Sequence, residues 1–377
     1  MSVVISYKKQ ILFFIFLILI VLVTVEGILR ISDFLYLQCT VLTMEEYEHL
    51  SFLDAITICN ESQKIRYDTS GTIPLLILHE GKFFNVNSDG FRGNELSKED
   101  KYRIIFLGGS TMLGSAVAPN NETIPGFFEE KSKNDFNNIE IINGGISGAD
   151  STNEWYYLKN YLQKHEPDMI VMYDGWNNVM NRNDPKADIP LEMLSSYKYH
   201  NLKTTESDFI REFKDLVIKS DIHILKHIGL FLMEQKIINN ESRLVVESEF
   251  NEDVKKVHSI LNRDWNKVCE LGIERDFIPV FFIQPILGTS ERAIHVSEER
   301  YLDDEVRKKE LEIIKKISLD KIDISNCPNV YDLRNAFNQY DNKMFFGDAG
   351  HTNSAGNKII AEKMYEEMKN ILIEDTK

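Results

Sequence analysis

Four short segments combine glycines with polar side chains that could carry out acyl transfer. The first is Gly108-Gly-Ser110-Thr, which follows the apolar run Ile104–Leu107. Glycines permit a tight turn, and the serine would then lie at the start of the next helix. There the positive helix N-terminus favours a developing oxyanion. Taken alone, the segment predicts either a nucleophile at Ser110 or a simple N-cap serine.

Two further segments could supply hydrogen-bond donors to an oxyanion. Asn143-Gly-Gly145 follows an apolar run, and the backbone N–H of Gly145 could face Ser110. Gly175-Trp-Asn177-Asn178 follows another, and the side-chain amide of Asn177 is a good neutral donor. Each segment alone could equally be an ordinary turn.

The fourth segment is Asp348-Ala-Gly-His351, on a glycine-flanked stretch ahead of a predicted helix. A spacing of three residues can bring a carboxylate beside an imidazole. The carboxylate would fix the tautomer of His351, which could then take the proton of a serine hydroxyl. The alternative is a solvated histidine on a surface loop.

Taken in order, the four segments resemble the sequence blocks of the SGNH, or GDSL-type, hydrolase family. The upstream segment Asn87-Ser-Asp-Gly-Phe-Arg-Gly93 is similar to membrane-anchored or secreted relatives. The resemblance implies Ser110, His351 and Asp348 as the catalytic triad, with the N–H groups of Ser110 and Gly145 and the amide of Asn177 as the oxyanion hole. It implies no metal and no organic cofactor.

The sequence departs from the family pattern at two positions. Gly109 stands where the GDSL signature has aspartate, as in the GGS-type branch, and Asn178 stands where G-x-N-D has aspartate. Neither change removes a residue that the resemblance implies is catalytic. Both weaken any inference about the substrate.

Alternation of apolar runs with helical periodicity predicts the elements that must position these residues. The predicted strands are Arg103–Leu107, Ile139–Ile142, Met169–Tyr173, Pro279–Ile283 and Asn329–Leu333. Nearly all-apolar strands favour a parallel sheet covered on both faces. We therefore expect an α/β fold, a three-layer α/β/α sandwich with a mainly parallel five-stranded sheet, flavodoxin-like as the family resemblance implies.

Helices are predicted between and after these strands. Ser151-Thr-Asn-Glu154 is typical of a capping box that starts a helix running to about Lys164. Further helices are predicted at 251–275, 297–317 and 354–373. The charged run that begins at Glu298 is expected to be a solvated helix face. Gln284 could line the pocket or simply end its strand.

The N-terminus carries an apolar stretch from Gln10 to Leu29, about the length that crosses a bilayer. We expect a retained signal-anchor; a cleaved signal peptide and a buried core helix are the alternatives. Lys8 and Lys9 precede the stretch and Arg30 follows it, which favours a cytoplasmic N-terminus and an extracytoplasmic domain. The predicted division is 1–9 cytoplasmic, 10–29 transmembrane, 30–100 juxtamembrane lead-in, and 101–377 hydrolase-like domain with a helical insertion at about 180–250.

Composition narrows the class of partner. The 377 residues include 43 Lys and Arg against 59 Asp and Glu, a net charge of −16, which argues against nucleic-acid binding.

His223 and His227 have a spacing that can bind zinc on a helix, but no third ligand or glutamate base accompanies them. An extracytoplasmic domain could form a disulfide among its four cysteines, which allow three full pairings. Cys269 lies on an amphipathic helical stretch and is expected to be simply buried rather than bonded to another cysteine.

These expectations lead to a membrane-anchored serine esterase that removes acyl groups, such as O-acetyl, from an envelope carbohydrate or other glycoconjugate. The alternatives are O-acyl transfer onto an envelope polysaccharide with the same triad, a lipid esterase, and a non-catalytic binding module of envelope biogenesis. The partners expected are therefore an ester substrate and, through the N-terminal helix, a membrane.

Overall fold

The computed structural model describes residues 6–32, 51–62, 67–68, 75–115, 119–183, 224, 250–303, 305–324 and 327–376. The chain forms two compact units. The first comprises Met1–Cys59 and Lys198–Glu247, and the second comprises Asn60–Tyr197 and Ser248–Lys377. The predicted insertion at 180–250, with His223 and His227, lies almost wholly outside the described residues.

In the first unit, helix α1 is Tyr7–Ser32, and helix α2 (Phe52–Ser62) crosses the boundary to the second unit. Within α1, Tyr7–Ile31 is long and apolar enough to cross a membrane, and its side chains are not buried in protein. A signal sequence would pass the same test.

The second unit is built on a parallel sheet. A two-stranded antiparallel ribbon comes first, β1 (Tyr67–Asp68) with β2 (Leu75–Leu76). The main strands are β3 (Tyr102–Gly108), β4 (Ile139–Asn143), β5 (Met169–Asp174), β6 (Ile278–Ile283) and β7 (Val330–Asp332). Their order is β4-β3-β5-β6-β7 and every pairing is parallel. This is the doubly wound order of flavodoxin-like folds, so the predicted fold class is confirmed.

Helices cover the sheet in two groups. The bounds are α3 Ser110–Leu113, α4 Ile124–Ser132, α5 Ser151–Asn160, α6 Trp176–Asn181, α7 Phe250–Arg275, α8 Glu305–Lys315 and α9 Ser354–Asp375. Helix α9 packs on α4, whereas α7 packs on α5, α6 and α8. Crossovers between parallel strands are right-handed as a rule, and in this strand order that rule places helices on both faces of the sheet.

The two central strands β3 and β5 are buried along their long apolar runs. Ile104–Leu107 of β3 and Met169–Met172 of β5 are all inaccessible to solvent. Residues before β3 also join this core: Phe91 is buried in it, and Arg92 forms an antiparallel bridge with Asn143. The segment 87–93 therefore packs beside the carboxyl end of β4.

The predicted start of α5 is one residue too late. Asp150 is the N-cap, and its carboxylate accepts from the N–H groups of Thr152 and Asn153. Asn153 Oδ1 completes the capping box by accepting from the Asp150 N–H. Ser151 does not cap because its hydroxyl donates to Asp264, 113 residues away. A contact this distant leaves no local sequence signal.

A disulfide joins Cys269 of α7 to Cys327, just before β7. Cys269 is buried as expected, at 1% exposed, but the prediction that it is simply a buried cysteine was wrong, because it is disulfide-bonded. The bond ties the long helix to the edge of the sheet at a point remote from the carboxyl ends of β3 and β5.

Candidate active site

Ser110 lies directly beyond the carboxyl end of β3, as the first residue of α3. Gly109 occupies the N-cap position, with no side-chain cap. The alternative interpretation of Ser110 as an N-cap is therefore not what the structure shows. As the first helical residue, Ser110 has an N–H without an intrahelical acceptor, and its half-buried hydroxyl points toward the loop after β7.

His351 meets Ser110 there, although 241 residues separate them in sequence. His351 Nε2 lies 2.7 Å from Ser110 Oγ, and His351 Nδ1 lies 2.9 Å from Asp348 Oδ2. The other oxygen of Asp348 accepts from the backbone N–H groups of Gly350 and His351, each at 2.8 Å. The three side chains thus form one continuous chain of hydrogen bonds.

The protonation state of Asp348 fixes the tautomer of His351. Burial alone would raise the pKa of Asp348, but the hydrogen bond and charge of His351 and the two backbone donors lower it to about 2. An ionised carboxylate can only accept, so His351 Nδ1 carries the hydrogen. In the neutral ring, Nε2 is then free to accept the hydrogen of Ser110. This is the arrangement that a general base requires.

Asn177, at the start of α6, places its side-chain amide against Gly109. Its Nδ2 donates to Ala149 O at 2.6 Å, which leaves a second hydrogen on the same nitrogen. A Cβ at position 109 would lie 2.2 Å from this nitrogen. The departure from the GDSL signature therefore has a physical reason, since a side chain at Gly109 would displace the Asn177 amide.

Gly145 packs against the backbone of α3. A Cβ there would lie 2.3 Å from Leu113 N, so only glycine allows this approach. Its N–H donates to Asn143 Oδ1 at 3.1 Å, and Asn143 Nδ2 donates to Met112 O. The predicted oxyanion donor is thus close to the Ser110 turn, but its hydrogen is engaged by Asn143. Its role in the oxyanion hole stays a prediction.

Arg92 holds the other end of α3. Its Nη1 donates to Leu113 O at 2.9 Å and to Gly114 O at 2.6 Å, and its Nε donates to Asn120 Oδ1. Its guanidinium carbon lies 3.7 Å from the centre of the Phe84 ring. The segment 87–93 noted in the sequence therefore supports the turn that presents Ser110.

A cluster of buried acids lies behind Asn177 and Asn178, formed by Asp150, Glu154, Asp174 and Asp264, each at most 3% exposed. Burial raises the pKa of Asp150 to about 6 and that of Asp174 to about 8, with the neighbouring acids adding to both. Burial and the same neighbours raise the pKa of Glu154. Both oxygens of Glu154 and Asp174 Oδ1 are without a hydrogen-bond partner. We name these residues the acidic cluster.

The acidic cluster explains the amide at position 178. Asn178 Oδ1 accepts from Gly175 N, while Asn178 Nδ2 donates to Ser151 Oγ, whose own hydrogen goes to Asp264. An aspartate at this position would turn a donor into an acceptor and add a fifth acid. The second departure from the family pattern is thus matched to its surroundings.

Sequence reasoning missed two sets of buried charges near the site. The acidic cluster could have been suspected from Asp264, which lies beside Trp265 on the apolar face of α7. Glu298 gave no such signal and was assigned to a solvated helix face, but it is fully buried; this expectation was wrong because its carboxylate meets Arg292 and distant backbone donors. Gln284 is also buried, and its Oε1 accepts from Trp176 N.

Metal ligation finds no support among the described residues. In the ranges given above, no three His, Cys, Asp or Glu side chains converge as the ligands of a metal ion would.

Comparisons with known proteins find likeness in structure only. No protein-family model and no curated protein sequence matches the chain. Among solved structures, the acetyl xylan esterase AlAXEase is 16% identical, with 70% of this chain and 98% of that chain covered and a TM-score of 0.38. A catalytic mutant of Axe2, an acetylxylan esterase from Geobacillus stearothermophilus, is 13% identical, with 72% and 96% covered and a TM-score of 0.37.

A protein of the G-D-S-L family from Desulfitobacterium hafniense DCB-2 is 10% identical, with 71% of this chain and 99% of that chain covered and a TM-score of 0.37. The four motifs resemble the same family. The function is argued below from the geometry of this chain alone.

Proposed function

We propose that this protein is a serine esterase, with Ser110 as nucleophile, His351 as general base and Asp348 as the group that orients the base. The observation that carries the proposal is the chain of two hydrogen bonds, 2.7 Å and 2.9 Å long, from Ser110 through His351 to Asp348. A Ser–His–Asp arrangement of this kind is recognised by geometry and role rather than by sequence position.

The reaction would run in two steps. Ser110 Oγ attacks the ester carbonyl as its proton passes to His351 Nε2, and Asp348 stabilises the imidazolium. His351 then gives the proton to the leaving alcohol as the acyl-enzyme forms. Water, activated by the same imidazole, releases the carboxylic acid and restores Ser110.

Three donors are proposed for the tetrahedral oxyanion. The Ser110 N–H and the second hydrogen of Asn177 Nδ2 require no rearrangement. The Gly145 N–H would share its hydrogen between the oxyanion and Asn143 Oδ1, or leave Asn143 as substrate binds. Donors preorganised in this way commonly contribute more to the rate than any other single feature.

We further propose that α1 anchors the enzyme in a membrane, with the active site on the extracytoplasmic side. Lys8 and Lys9 before the apolar stretch, against Arg30 after it, support this orientation. The Cys269–Cys327 disulfide supports it as well, because disulfides persist in oxidising compartments. The substrate class that fits this location is an O-acylated envelope carbohydrate or glycoconjugate.

The test uses the full-length chain purified in detergent. Acetate release from acetylated polysaccharides is compared with hydrolysis of acetyl, butyryl and longer-chain p-nitrophenyl esters, for wild type and Ser110→Ala. We expect wild type to release acetate and to favour the short esters, with Ser110→Ala inactive. Equal activity of the two proteins on every ester would overturn the esterase assignment. A preference for long chains would keep the esterase and remove the carbohydrate substrate.

Transfer is separated from hydrolysis in the same assay. Adding an unacetylated polysaccharide acceptor should leave the rate of acetate release unchanged if water is the acceptor. If acetate release falls while the polysaccharide becomes acetylated, the enzyme is an O-acyltransferase with the same triad.

A further inference from the structure

Glu298 is a fully buried carboxylate outside the proposed triad, and each of its two oxygens accepts two hydrogen bonds. One oxygen accepts from the backbone N–H groups of Met344 and Phe345, at 2.7 and 2.8 Å. The other accepts from Arg292 Nη2 at 2.6 Å and from His295 N at 3.2 Å. Four donors converge on a side chain that is inaccessible to solvent.

The two backbone donors stand at the base of the loop that carries Asp348 and His351. Phe345 forms an antiparallel bridge with Thr352, and Phe346 N donates to His351 O at 2.9 Å. Asn353 N donates to Met344 O, so the loop is closed where Glu298 contacts it. A displacement of Met344 and Phe345 would therefore move His351 through two backbone hydrogen bonds.

The same segment holds the loop at a second point. Tyr301 lies on the 3-10 turn that follows Glu298, and its hydroxyl accepts from Gly347 N at 3.1 Å. Gly347 is the residue before Asp348. One short stretch of chain therefore contacts the catalytic loop both at its base and next to its carboxylate.

Arg292 balances the charge of Glu298 and is itself buried, with its side chain 2% exposed. Its Nη1 also donates to Ala293 O and Asn342 O. Desolvation makes a buried ion pair a poor source of net stability compared with apolar packing. The two hydrogen bonds from Met344 and Phe345 do, however, hold the loop in one geometry, and those from Arg292 and His295 fix the carboxylate that accepts them.

We propose that Glu298, fixed by Arg292, is a positioning residue that sets the distance between His351 and Ser110. The inference rests on the proposed function. It adds that a residue without contact to the reacting atoms controls the rate of the chemical step, since small misplacements of a catalytic group can cost about a hundredfold in rate.

The main variant is Glu298→Gln in the full-length protein, assayed on p-nitrophenyl acetate well below its unfolding temperature. The introduced amide can still accept from Met344 and Phe345, but its NH₂ group would face the guanidinium of Arg292. We expect kcat to fall about 10–100-fold, with KM changed less than about twofold. Arg292→Lys keeps a charge and a donor, so it should lose less than Glu298→Gln.

The matched control is Glu140→Gln, which weakens the ion pair of Arg103 and Glu140 at the opposite end of the sheet. It should lower the unfolding temperature without changing kcat. If Glu298→Gln and Arg292→Lys behave like this control, with stability lowered and kcat intact, the positioning role is wrong. If Glu298→Gln does not fold, the same comparison is made with Arg292→Lys alone.

A spectroscopic readout separates this inference from the proposed function. The proton on His351 Nδ1, bonded to Asp348, should give a low-field NMR resonance in wild type that is lost in His351→Ala. We expect Glu298→Gln, but not Glu140→Gln, to shift or broaden it. An unchanged resonance would contradict the positioning role even if wild type hydrolysed no ester, whereas inactivity of wild type with the expected shift would contradict only the esterase.

Discussion

The two ends of the same parallel sheet both hold charges away from solvent, half-buried at the amino end and fully buried at the carboxyl end, but they arrange them differently. At the amino end, Arg103 donates to Glu140 at 2.9 Å, to His165 O and to Ser97 O. Glu140 in turn accepts from Ser97 N. Each charged side chain here is thus paired with an opposite charge and hydrogen-bonded to backbone groups.

At the carboxyl end, Asp264 pairs with Arg263 at 2.8 Å, but the other three members of the acidic cluster form no ion pair among the described residues. The four residues of the acidic cluster lie together with three carboxylate oxygens unpartnered, and two of them carry pKa values raised by burial to about 6 and about 8. Shifted pKa values of this kind concentrate at functional sites. The comparison indicates that the amino end serves stability, while the carboxyl end accepts a cost in stability to hold Asn178, the neighbour of Asn177, through Ser151.

The largest effect should come from breaking the site at Asp348. Asp348→Asn keeps the shape but lets the other tautomer of His351 form, so we expect kcat to fall about 10⁴-fold with little change in the unfolding temperature. The measurement is steady-state hydrolysis of p-nitrophenyl acetate. The control is Asp341→Asn, an exposed acid on the same stretch of chain. A loss of less than about tenfold at Asp348 would show that His351 needs no carboxylate partner.

Next in size is the oxyanion donor. Asn177→Ala removes the amide that lies against Gly109, and a lost oxyanion donor typically lowers kcat about 10²–10³-fold. Asn160→Ala, which removes a solvent-exposed amide bonded to Tyr156 O, is the matched control. If KM rises while kcat stays constant, Asn177 binds the ground state and the transition state equally, which would contradict its role as an oxyanion donor.

A smaller effect, on stability, is expected from adding an acid to the carboxyl end. Asn178→Asp places an acceptor against Ser151 Oγ and a fifth carboxyl group beside the acidic cluster. We expect the free energy of unfolding at pH 8 to fall by about 1–3 kcal/mol, measured by urea denaturation. Asn160→Asp serves as the exposed control.

The pH dependence sharpens this prediction. Asp150 and Asp174 have pKa values raised in the folded protein, so between pH of about 4 and about 8 the folded state binds more protons than the unfolded state. The contribution of these two groups to stability should therefore fall as pH rises through that range, and the loss caused by Asn178→Asp should be smaller at pH 5 than at pH 8. A loss from Asn178→Asp that is the same at pH 5 and at pH 8 would contradict the buried acidic cluster.

The smallest effect on activity belongs to the amino end. Glu140→Gln removes one charge of a pair whose side chains are 19% and 13% exposed. We expect about 1 kcal/mol of lost stability and a kcat within about twofold of wild type. A large loss of activity would contradict the claim that the amino end of the sheet serves stability and not catalysis.

The pattern of apolar runs and glycine turns was enough to predict the parallel sheet and the polar residues that follow its strands. The apolar runs of β3 and β5 fix the central strands, and glycines after each strand mark where Ser110 and Asn177 lie. The three-residue spacing of Asp348 and His351 gives their pairing. Parallel strands bring these residues to one edge of the sheet, so the meeting of His351 with Ser110 follows from topology.

What could not be predicted depends on contacts between distant residues. The local sequence predicts Ser151 as a helix cap, but its hydroxyl donates to Asp264. The local sequence predicts Glu298 as a solvent-exposed charge, but its carboxylate binds Arg292 and accepts from the backbone N–H of Met344. The choice of Cys327 as the partner of Cys269 likewise depends on how α7 packs. In each case the deciding partner lies outside the local window, so periodicity and turn chemistry carry no information about it.

The most direct measurement is labelling of the purified full-length protein with a fluorophosphonate, which forms a covalent bond only with an activated serine. Mass spectrometry should find the label on Ser110 of the wild type, no label in Ser110→Ala, and much slower labelling in His351→Ala. A folded wild type that resists the probe, or a Ser110→Ala variant that is labelled at the wild-type rate, would contradict an activated serine at this edge of the sheet.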